Sequence, residues 1–256
     1  MRIKTFLLIF IMIFASLAFA QESPSRNIPQ LMERLKDENK EVRRQAANDL
    51  INIGKPAVPA LLKELEKESV DKGQNETKRR QVIHAITFAL GNIKDKSAAP
   101  VLFKLLNDKD AKVIIYATEV ICTMQDEAMV NELIKLTVKQ EFMLYKIMED
   151  SKEGTPKEEI QKQMDPHFLM RISIAAGLLN SADLIRPIII RGLKNKDWEI
   201  RYWAASSLPE FMVGQGPIDQ AVIKSLQKLS NDENTHVRGV AETSLKRLGF
   251  ETKANP

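Results

Sequence analysis

The feature that most constrains the fold is a cycle of two amphipathic segments that first runs from Pro29 to Pro59. Behind the opening proline, apolar residues recur at helical spacing, and a second apolar stripe containing two alanines follows Val42. The stripe residues are Leu31, Met32 and Leu35 in the first segment and Ala46, Ala47 and Leu50 in the second. Two short helices that are apolar on one side only cannot bury those sides alone, so this cycle requires neighbours of the same kind.

The cycle returns along the chain with a constant internal distance. Its opening proline and the first apolar residue of its second segment are 13 positions apart in three places. These pairs are Pro29 and Val42, Pro100 and Val113, and Pro187 and Ile200. We expect each opening proline to lie in the first turn of its helix, where no amide partner is lost. The sequence therefore predicts an all-α protein, an α-solenoid (α-α superhelix) of about six helical hairpins over residues 28–250.

Two cycles are longer than the others and therefore predict insertions. The charged stretch 66–78 contains residues that suit a loop. The fourth cycle carries the longest insert, residues 139–166, in which residues 141–150 can extend the preceding helix and residues 155–158 have the pattern of a capping box. We expect a short additional helix to begin there. Because added length in one repeat often carries specificity, this insert is a second candidate region for function.

The first 20 residues have the composition of a secretory signal peptide. Arg2 and Lys4 precede an unbroken apolar run over residues 6–14, and residues 18–20 have the small-x-small form that signal peptidase cuts. We predict that residues 1–20 are removed, and hence that the protein is exported to the periplasm or secreted.

The segments that flank the repeats are short. The apolar stretch 6–20 has fifteen residues, fewer than the roughly 20 that a spanning helix needs. No stable membrane span is therefore predicted after signal cleavage, although a retained signal that tethers the chain stays an alternative. The polar residues 21–27 are expected to form a flexible lead, and residues 251–256 a polar tail.

Charge and cysteine usage argue against several classes of function. The chain has 38 basic and 34 acidic residues, and removal of Arg2 and Lys4 with the signal leaves 36 against 34, a net charge of +2. Such a small excess does not indicate a nucleic-acid surface, so no nucleic-acid partner is expected. Cys122 is the only cysteine and lies in an apolar run, which favours burial over a disulfide or a redox role.

No constellation of residues predicts catalysis. His84, His167 and His236 are the only histidines, and none has another histidine or a cysteine at ligand spacing, so no metal or cofactor is expected. The glycine-containing stretch 213–217 lacks the lysine of a phosphate loop and the serine of a nucleophile elbow, and it predicts a connecting loop. We therefore expect no enzymatic activity.

Outward positions of the second helices carry more aromatic residues than a solvated face requires. In a solenoid these helices usually line the concave side, where partners bind. The candidate protein-binding patch consists of His84, Phe88, Tyr116, Tyr202 and Trp203. Because exposed aromatic residues anchor interfaces, we expect a protein or peptide partner. The alternative is that these rings pack into the adjoining repeat.

The sequence resembles HEAT repeats, in particular the short bacterial kind named after phycobilisome (PBS) lyases. The resemblance rests on the Asp-x5-Arg pattern and paired alanines of residues 37–50, and on residues 53–62, 195–205 and 232–238. It covers nearly all of the mature chain. It implies a stack of helical hairpins that supplies a binding surface more often than chemistry.

The resemblance also implies a structural ladder of charged residues. In such repeats the aspartate before the second helix and the arginine near its start pair between neighbouring hairpins. The residues that fit this ladder are Asp37, Arg43, Asp197, Arg201, Asp232 and Arg238. Ile83 and Ile114 replace the arginine in the second and third repeats, so we expect the ladder to be interrupted there.

Together these features predict an exported scaffold or adaptor that binds a protein or peptide through a concave helical surface. Two alternatives stay open: a lyase-like enzyme or accessory protein of the PBS HEAT kind, and a membrane-tethered assembly factor. The secretion signal and the lack of a catalytic constellation favour the first interpretation over the lyase-like one.

Overall fold

The computed structural model describes residues 27–70, 75–151, 155–212 and 218–250, and all regular secondary structure in these ranges is helical. The predicted all-α class is therefore confirmed. The predicted signal peptide 1–20, residues 21–26 of the lead, the loop 213–217 and the tail 251–256 lie outside the described ranges. The chain divides into two compact units, Met1–Ala98 (unit 1) and Ala99–Pro256 (unit 2).

Unit 1 consists of two helical hairpins. Its helices are α1 (Ile28–Arg34), α2 (Lys40–Ile53), α3 (Val58–Val70) and α4 (Glu76–Ile93), with 3₁₀ turns at Lys55–Ala57 and Lys96–Ala98. Helix α1 packs against α3 and α2 packs against α4, so the hairpins stack in sequence order. Asn39 caps α2 by accepting a hydrogen bond from the Glu41 N–H, and Gly54 follows the helix with a φ of 74°, which residues with a Cβ rarely adopt.

Unit 2 consists of four helical hairpins. Its helices are α5 (Ala99–Leu105), α6 (Ala111–Met124), α7 (Glu127–Asp150), α8 (Lys157–Asn180), α9 (Ala182–Gly192), α10 (Trp198–Met212), α11 (Gln220–Leu229) and α12 (Thr235–Arg247). With the two hairpins of unit 1, the described residues contain the six hairpins that the repeat pattern predicts. Each unit is a stack of hairpins of the α-solenoid type.

The second helices pack through their small residues, as the stripes predict. Helix α2 packs on α4 in unit 1, and α6 packs on α8 and α10 on α12 in unit 2. The almost fully buried alanines of these helices are Ala46, Ala47, Ala89, Ala117, Ala204, Ala205 and Ala241. Small residues let neighbouring helix backbones approach closely, so larger side chains such as Leu50, Ile121 and Leu208 are enclosed completely. Burial of each such side chain contributes about 2 kcal/mol.

Helices α7 and α8 form a hairpin that is longer than the others. Each has 24 residues, against 14 in α6 and 13 in α12. Helix α7 extends to Asp150 as predicted, but α8 runs without interruption from Lys157 through Pro166, so the predicted short additional helix is wrong. The capping box is wrong as well, because Pro156 occupies the N-cap position without a side-chain cap. The two helices contact each other along their length, and this packing outweighs the local breaking signals.

Two other boundaries differ from the sequence-based expectation. Pro187 lies inside α9, which begins five residues earlier at Ala182, so its predicted first-turn position is wrong. The acidic Asp183 in the first turn supports this earlier start, because the helix dipole favours negative charge there. The connection predicted at residues 66–78 is shorter than expected, since α3 continues to Val70 and α4 begins at Glu76.

One step of the predicted ladder is formed in unit 2. Arg201 on α10 binds both carboxylate oxygens of Asp232 in the next hairpin, with Nε–Oδ2 2.8 Å and Nη2–Oδ1 2.9 Å. The two side chains are 9% and 8% exposed, so this bidentate pair is shielded from solvent. Although burial opposes ionisation, hydrogen bonds from Arg201 and the Asn234 N–H hold the pKa of Asp232 below its ordinary value. The Arg201–Asp232 pairing between neighbouring hairpins is therefore present as predicted.

The other ladder residues use different partners. Arg43 and Arg238 each donate through Nη1 to two carbonyl oxygens of the turn that precedes their own helix. The Asp37 carboxylate accepts from a backbone N–H two residues later, and Asp197 forms an ion pair with Lys135 of α7, Nζ–Oδ2 2.5 Å. The predicted Asp–Arg pairs are therefore wrong for these residues, whose charges fix turns and helix contacts instead.

Candidate functional site

An open groove of about 830 Å³ lies in unit 2 beside the extended hairpin. Helix α7 lines it with its distal half, α10 with one residue and α12 with its first two turns. The lining residues are Phe142, Tyr145, Lys146, Glu149, Asp150, Tyr202, Thr235, His236, Gly239 and Val240. All of these belong to the described residues of unit 2, and the term "groove" refers to this set.

The groove arises from the added length of α7 on one side and from the missing side chain of Gly239 on the other. Helix α7 is 24 residues long and α6 is 14, a difference that extends α7 by about 15 Å at 1.5 Å per residue. Helix α10 packs against α7. On α12, Gly239 leaves space, because a Cβ built there would meet no atom within 4 Å. The groove therefore depends on the insert that distinguishes the fourth repeat.

A cluster of aromatic rings forms the floor of the groove, with Phe142 at its centre. The ring centroid of Phe142 lies 4.9 Å from His236, 5.7 Å from Trp198 and 5.8 Å from Tyr202. Tyr145, one turn along α7, is 6.2 Å away. The contacts with His236, Trp198 and Tyr145 are edge-to-face, the arrangement that ring quadrupoles favour. Side chains from α7, α10 and α12 are thus fixed against one another before any partner binds.

Glu141 holds the two groove tyrosines in place. Its Oε1 accepts hydrogen bonds from Tyr202 Oη at 3.0 Å and Tyr145 Oη at 3.2 Å, and its Oε2 lies 3.4 Å from Nη2 of Arg171 on α8. Burial and the adjacent Glu141 charge raise the pKa of both Tyr202 and Tyr145. The phenols therefore keep their protons at neutral pH and act as donors to Glu141.

Charged residues surround this aromatic surface. Glu149 and Asp150 occupy the last turn of α7, which has no basic residue, and Lys146 lies one turn earlier. All three side chains are exposed, and so is His236 on α12. With His236 neutral, one positive and two negative groups give the lining a net charge of −1. The carboxyl end of a helix itself carries partial negative charge, so this end of the groove is electronegative.

The structure removes two residues from the predicted aromatic patch. Tyr202 and Trp203 are each only 7% exposed. Tyr202 is covered by α7 through Glu141 and Phe142, and the Trp203 ring packs at 5.8 Å against Phe211 on the same helix. The expectation that both are surface residues is therefore wrong, because residues of α7 contact the Tyr202 side chain and Phe211 contacts the Trp203 ring. Tyr202 is nevertheless one of the residues that line the groove.

The remaining patch residues do not join the groove. His84 and Phe88 lie one turn apart on α4 of unit 1, where both are exposed, Phe88 by 43%. Tyr116 lies on α6 of unit 2 and is half-buried. A binding role for these three residues stays a prediction.

Sequence reasoning missed most of the residues that line the groove. Phe142, Tyr145 and Lys146 lie in the insert, whose length was the signal that singled out this region. Gly239 and Val240 stand at the outward helix positions that were expected to face a partner. His236 was not predicted to belong to a site, because nothing in the sequence links it to Phe142.

The described residues offer little for metal or thiol chemistry. They contain no group of three or more His, Cys, Asp or Glu side chains placed to hold a metal ion. Cys122 is fully buried, as its apolar sequence context predicts, and this burial raises the pKa of its thiol to about 12. It is therefore a poor nucleophile at neutral pH.

Among the described helices, none combines the length and the apolar character that crossing a membrane requires.

Comparison with protein families identifies the repeats. A HEAT repeat model matches residues 185–214, which cover most of α9 and all of α10. A PBS lyase HEAT-like repeat model matches residues 42–67, in α2 and α3. The chain thus carries HEAT-type repeats in both units, and the resemblance to HEAT repeats of the PBS kind is confirmed. No curated protein matches the sequence.

Solved structures that match the chain are distant in sequence. The YibA protein of Escherichia coli is 20% identical over 86% of this chain and 72% of its own, with a TM-score of 0.39. Human deoxyhypusine hydroxylase is 13% identical over 91% and 99%, with a TM-score of 0.37. The complex of CpcE and CpcF of phycocyanin lyase from Nostoc sp. is 17% identical over 86% and 98%, with a TM-score of 0.31.

The family comparison contradicts the expectation that the chain has no enzymatic activity. The PBS lyase HEAT-like match at residues 42–67 points toward enzymatic activity. The expectation rested on missing sequence motifs. Such motifs are a poor guide in a repeat protein, because side chains from separate hairpins meet only in the folded chain.

Proposed function

We propose that this HEAT-repeat chain is an exported scaffold that binds a segment of a partner protein in the groove of unit 2. The observation that carries the proposal is the preformed aromatic floor of the groove, in which Phe142 of α7 contacts rings from α10 and α12. Aromatic side chains dominate the binding energy of protein interfaces. Because the cluster is already fixed, a partner loses little free energy in ordering it.

The dimensions of the groove support a segment rather than a broad protein face. Its volume of about 830 Å³ lies within the range of 300–1,000 Å³ that is typical of ligand pockets, enough for several side chains of an extended peptide. Tyr145, 55% exposed, supplies an accessible ring at the rim. The HEAT matches at residues 42–67 and 185–214 support the same conclusion, since such repeats commonly mediate protein interactions.

Site-specific photo-crosslinking in the native host tests the proposed groove. A photoreactive amino acid at Thr235, which lines the groove, is expected to form adducts with a defined partner. The matched control carries the same group at Glu158, an exposed residue of α8 outside the groove lining. In a second background, Gly239→Trp fills the groove from a position where a Cβ meets no atom, so the fold is expected to persist.

The outcome that supports the proposal is an adduct from position 235 that Gly239→Trp abolishes and that position 158 does not give. Equal adducts from both positions, or adducts that survive Gly239→Trp, would contradict a role for the groove. Circular dichroism of the Gly239→Trp protein confirms that the loss reflects a filled groove and not unfolding.

Export is the second part of the proposal. It is supported by the basic start, apolar run and small-x-small sequence of residues 1–20. The intact mass of the protein recovered from its host separates the alternatives. Removal of residues 1–20 leaves a chain lighter than the full-length 29.0 kDa, whereas a tethered protein keeps that mass and sediments with membranes.

A lyase-type activity is the second candidate function, favoured by the PBS lyase HEAT-like match at residues 42–67. Under this alternative the bound partner leaves with altered covalent structure. Intact-mass spectrometry of the partner before and after incubation with the chain separates the two candidates. A mass change that requires an open groove, and is therefore lost in Gly239→Trp, indicates catalysis; an unchanged mass indicates binding alone.

A further inference from the structure

We propose that the groove selects a partner segment by a lysine or arginine side chain, which binds against the aromatic rings and pairs with Glu149 and Asp150. The inference rests on the proposed function and names the chemistry of the occupant. It follows from the surface that the rings present, from the charge of the rim and from the shortage of donors for an anion.

The aromatic rings of the lining provide the first reason. Phe142, Tyr145 and Tyr202 all line the groove, and Tyr145 is 55% exposed. The face of an aromatic ring is electronegative and attracts ammonium and guanidinium groups, more strongly when the site is partly desolvated. Both tyrosine hydroxyl groups already donate to Glu141, so they are not available to bind an anionic ligand.

The charge of the rim provides the second reason. Glu149 and Asp150 lie in the last turn of α7, where the helix dipole disfavours negative charge and favours a cation. A helix that carries two carboxylates and no basic residue in that turn loses stability unless another group compensates them. Neither carboxylate forms an ion pair with another described residue, so a cation from the partner can take that place.

Lys146 is the one lysine or arginine among the residues that line the groove. Its positive charge is the main argument against a cationic occupant. It lies three and four positions before Glu149 and Asp150, and one ammonium group can neutralise only one carboxylate. The lining keeps a net charge of −1 with His236 neutral. An anionic segment would face two carboxylates, whereas a cationic segment faces one ammonium group.

Fluorescence polarisation with short labelled peptides tests this selection. The peptides share leucine-containing flanks and differ at one central residue, which is Arg, Lys, Gln or Glu. We expect the Arg and Lys peptides to bind the mature protein about tenfold more tightly than the Gln peptide, and the Glu peptide more weakly still. Added salt is expected to reduce the preference, because the rim carboxylates are exposed to solvent.

Two variants with the same change in charge assign the preference to the rim. Glu149→Gln with Asp150→Asn is expected to remove most of the preference for Arg and Lys. Glu158→Gln with Glu159→Gln removes two carboxylates from the first turn of α8, outside the groove lining, and is expected to leave the preference intact. An equal loss in both variants would contradict local recognition at the groove.

Failure of this inference is distinguishable from failure of the proposed function. Peptides that bind without a charge preference, and are displaced by Gly239→Trp, overturn the cationic occupant and leave the groove as a peptide site. Tighter binding of the Glu peptide overturns the cationic occupant as well. If no peptide binds at any accessible concentration and position 235 gives no adduct, both proposals are wrong.

Discussion

Unit 2 uses glycine within a helix in two opposite ways. Gly177 on α8 lies where this helix crosses α6, and a Cβ there would come within 2.6 Å of Thr118 Cβ and 3.1 Å of the Ile115 carbonyl oxygen. Gly239 on α12 borders the groove, where a Cβ would meet no atom within 4 Å. The first glycine allows two backbones to pack and the second leaves a space unfilled. The repeat core and the groove therefore use the same kind of helix and differ in what the small residue faces.

The two halves of α7 show the same contrast. Leu133, Ile134 and Val138 in the first half are fully buried in the core. Tyr145 and Met148 in the second half are 55% and 60% exposed. The second half of α7 is thus less enclosed than the first, and its exposed side remains available to form one wall of a binding site.

Truncation within the first half of α7 should produce the largest effect on stability. Leu133→Ala leaves a cavity in a fully enclosed site and is expected to lower the free energy of unfolding by about 3 kcal/mol. Met148→Ser in the exposed second half is expected to change it by less than about 0.5 kcal/mol. Urea denaturation of both variants measures the difference. Similar losses would show that the second half of α7 also supports the core.

Gly177→Ala should produce the next largest effect. Alanine is the better helix former, but its Cβ would overlap Thr118 and approach the α6 backbone, so α6 and α8 must separate. We expect a net loss of about 2 kcal/mol, measured by thermal unfolding. Thr118→Gly removes the Cβ and the methyl group that the new Cβ would meet. If Gly177→Ala costs as much stability in the Thr118→Gly background as in the wild type, the close approach is not the cause.

Removal of the Arg201–Asp232 ion pair tests whether a charge in the repeat core contributes more to the free energy of unfolding than a charge in the groove. Asp232→Asn removes a shielded bidentate acceptor and is expected to lower the free energy of unfolding by about 1.5 kcal/mol at neutral pH. Because the pKa of folded Asp232 lies below its ordinary value of 3.8, its contribution is complete above pH 3.8 and disappears as the pH falls through the folded pKa. The difference between wild type and variant should therefore shrink in acid.

A matched substitution in the groove separates this effect from a general loss of charge. Glu149→Gln removes an exposed carboxylate and should leave the free energy of unfolding within about 0.5 kcal/mol at every pH. Chemical denaturation of both variants at neutral and acidic pH makes the comparison. A pH-independent deficit in Asp232→Asn would indicate lost packing instead of a lost ion pair.

The hairpins could be predicted because their signals are local. The apolar stripe after Val42 and the alanines Ala46 and Ala47 recur at helical spacing, and the residues that share this stripe are buried in both units. The prediction is less accurate where contacts outweigh local signals. Pro187 and Pro166 both lie inside helices, because packing against neighbouring helices supports the helix beyond the local break.

The groove could not be predicted because distant segments form it. Tyr202 stands at an outward helix position, but contacts with α7 leave it only 7% exposed. Phe142 and His236 are 4.9 Å apart in the fold and have no relation in the sequence. The insert predicted where added length lies, but not that its rings would meet those of α10 and α12.

Gly239→Ala should have a smaller effect than Leu133→Ala, Gly177→Ala or Asp232→Asn, and the opposite sign to Gly177→Ala. Its Cβ enters open space, so the gain in helix propensity is not opposed by a clash, and we expect stabilisation by up to about 1 kcal/mol. One methyl group fills little of an 830 Å³ groove, so peptide binding should persist where Gly239→Trp abolishes it. Gly249→Ala is the control for backbone effects, because a φ of 82° there should make alanine destabilising. Thermal unfolding of the wild type, Gly239→Ala and Gly249→Ala measures these differences in stability. If Gly239→Ala destabilises the protein, the groove is closed in solution and Gly239 allows close packing, as Gly177 does.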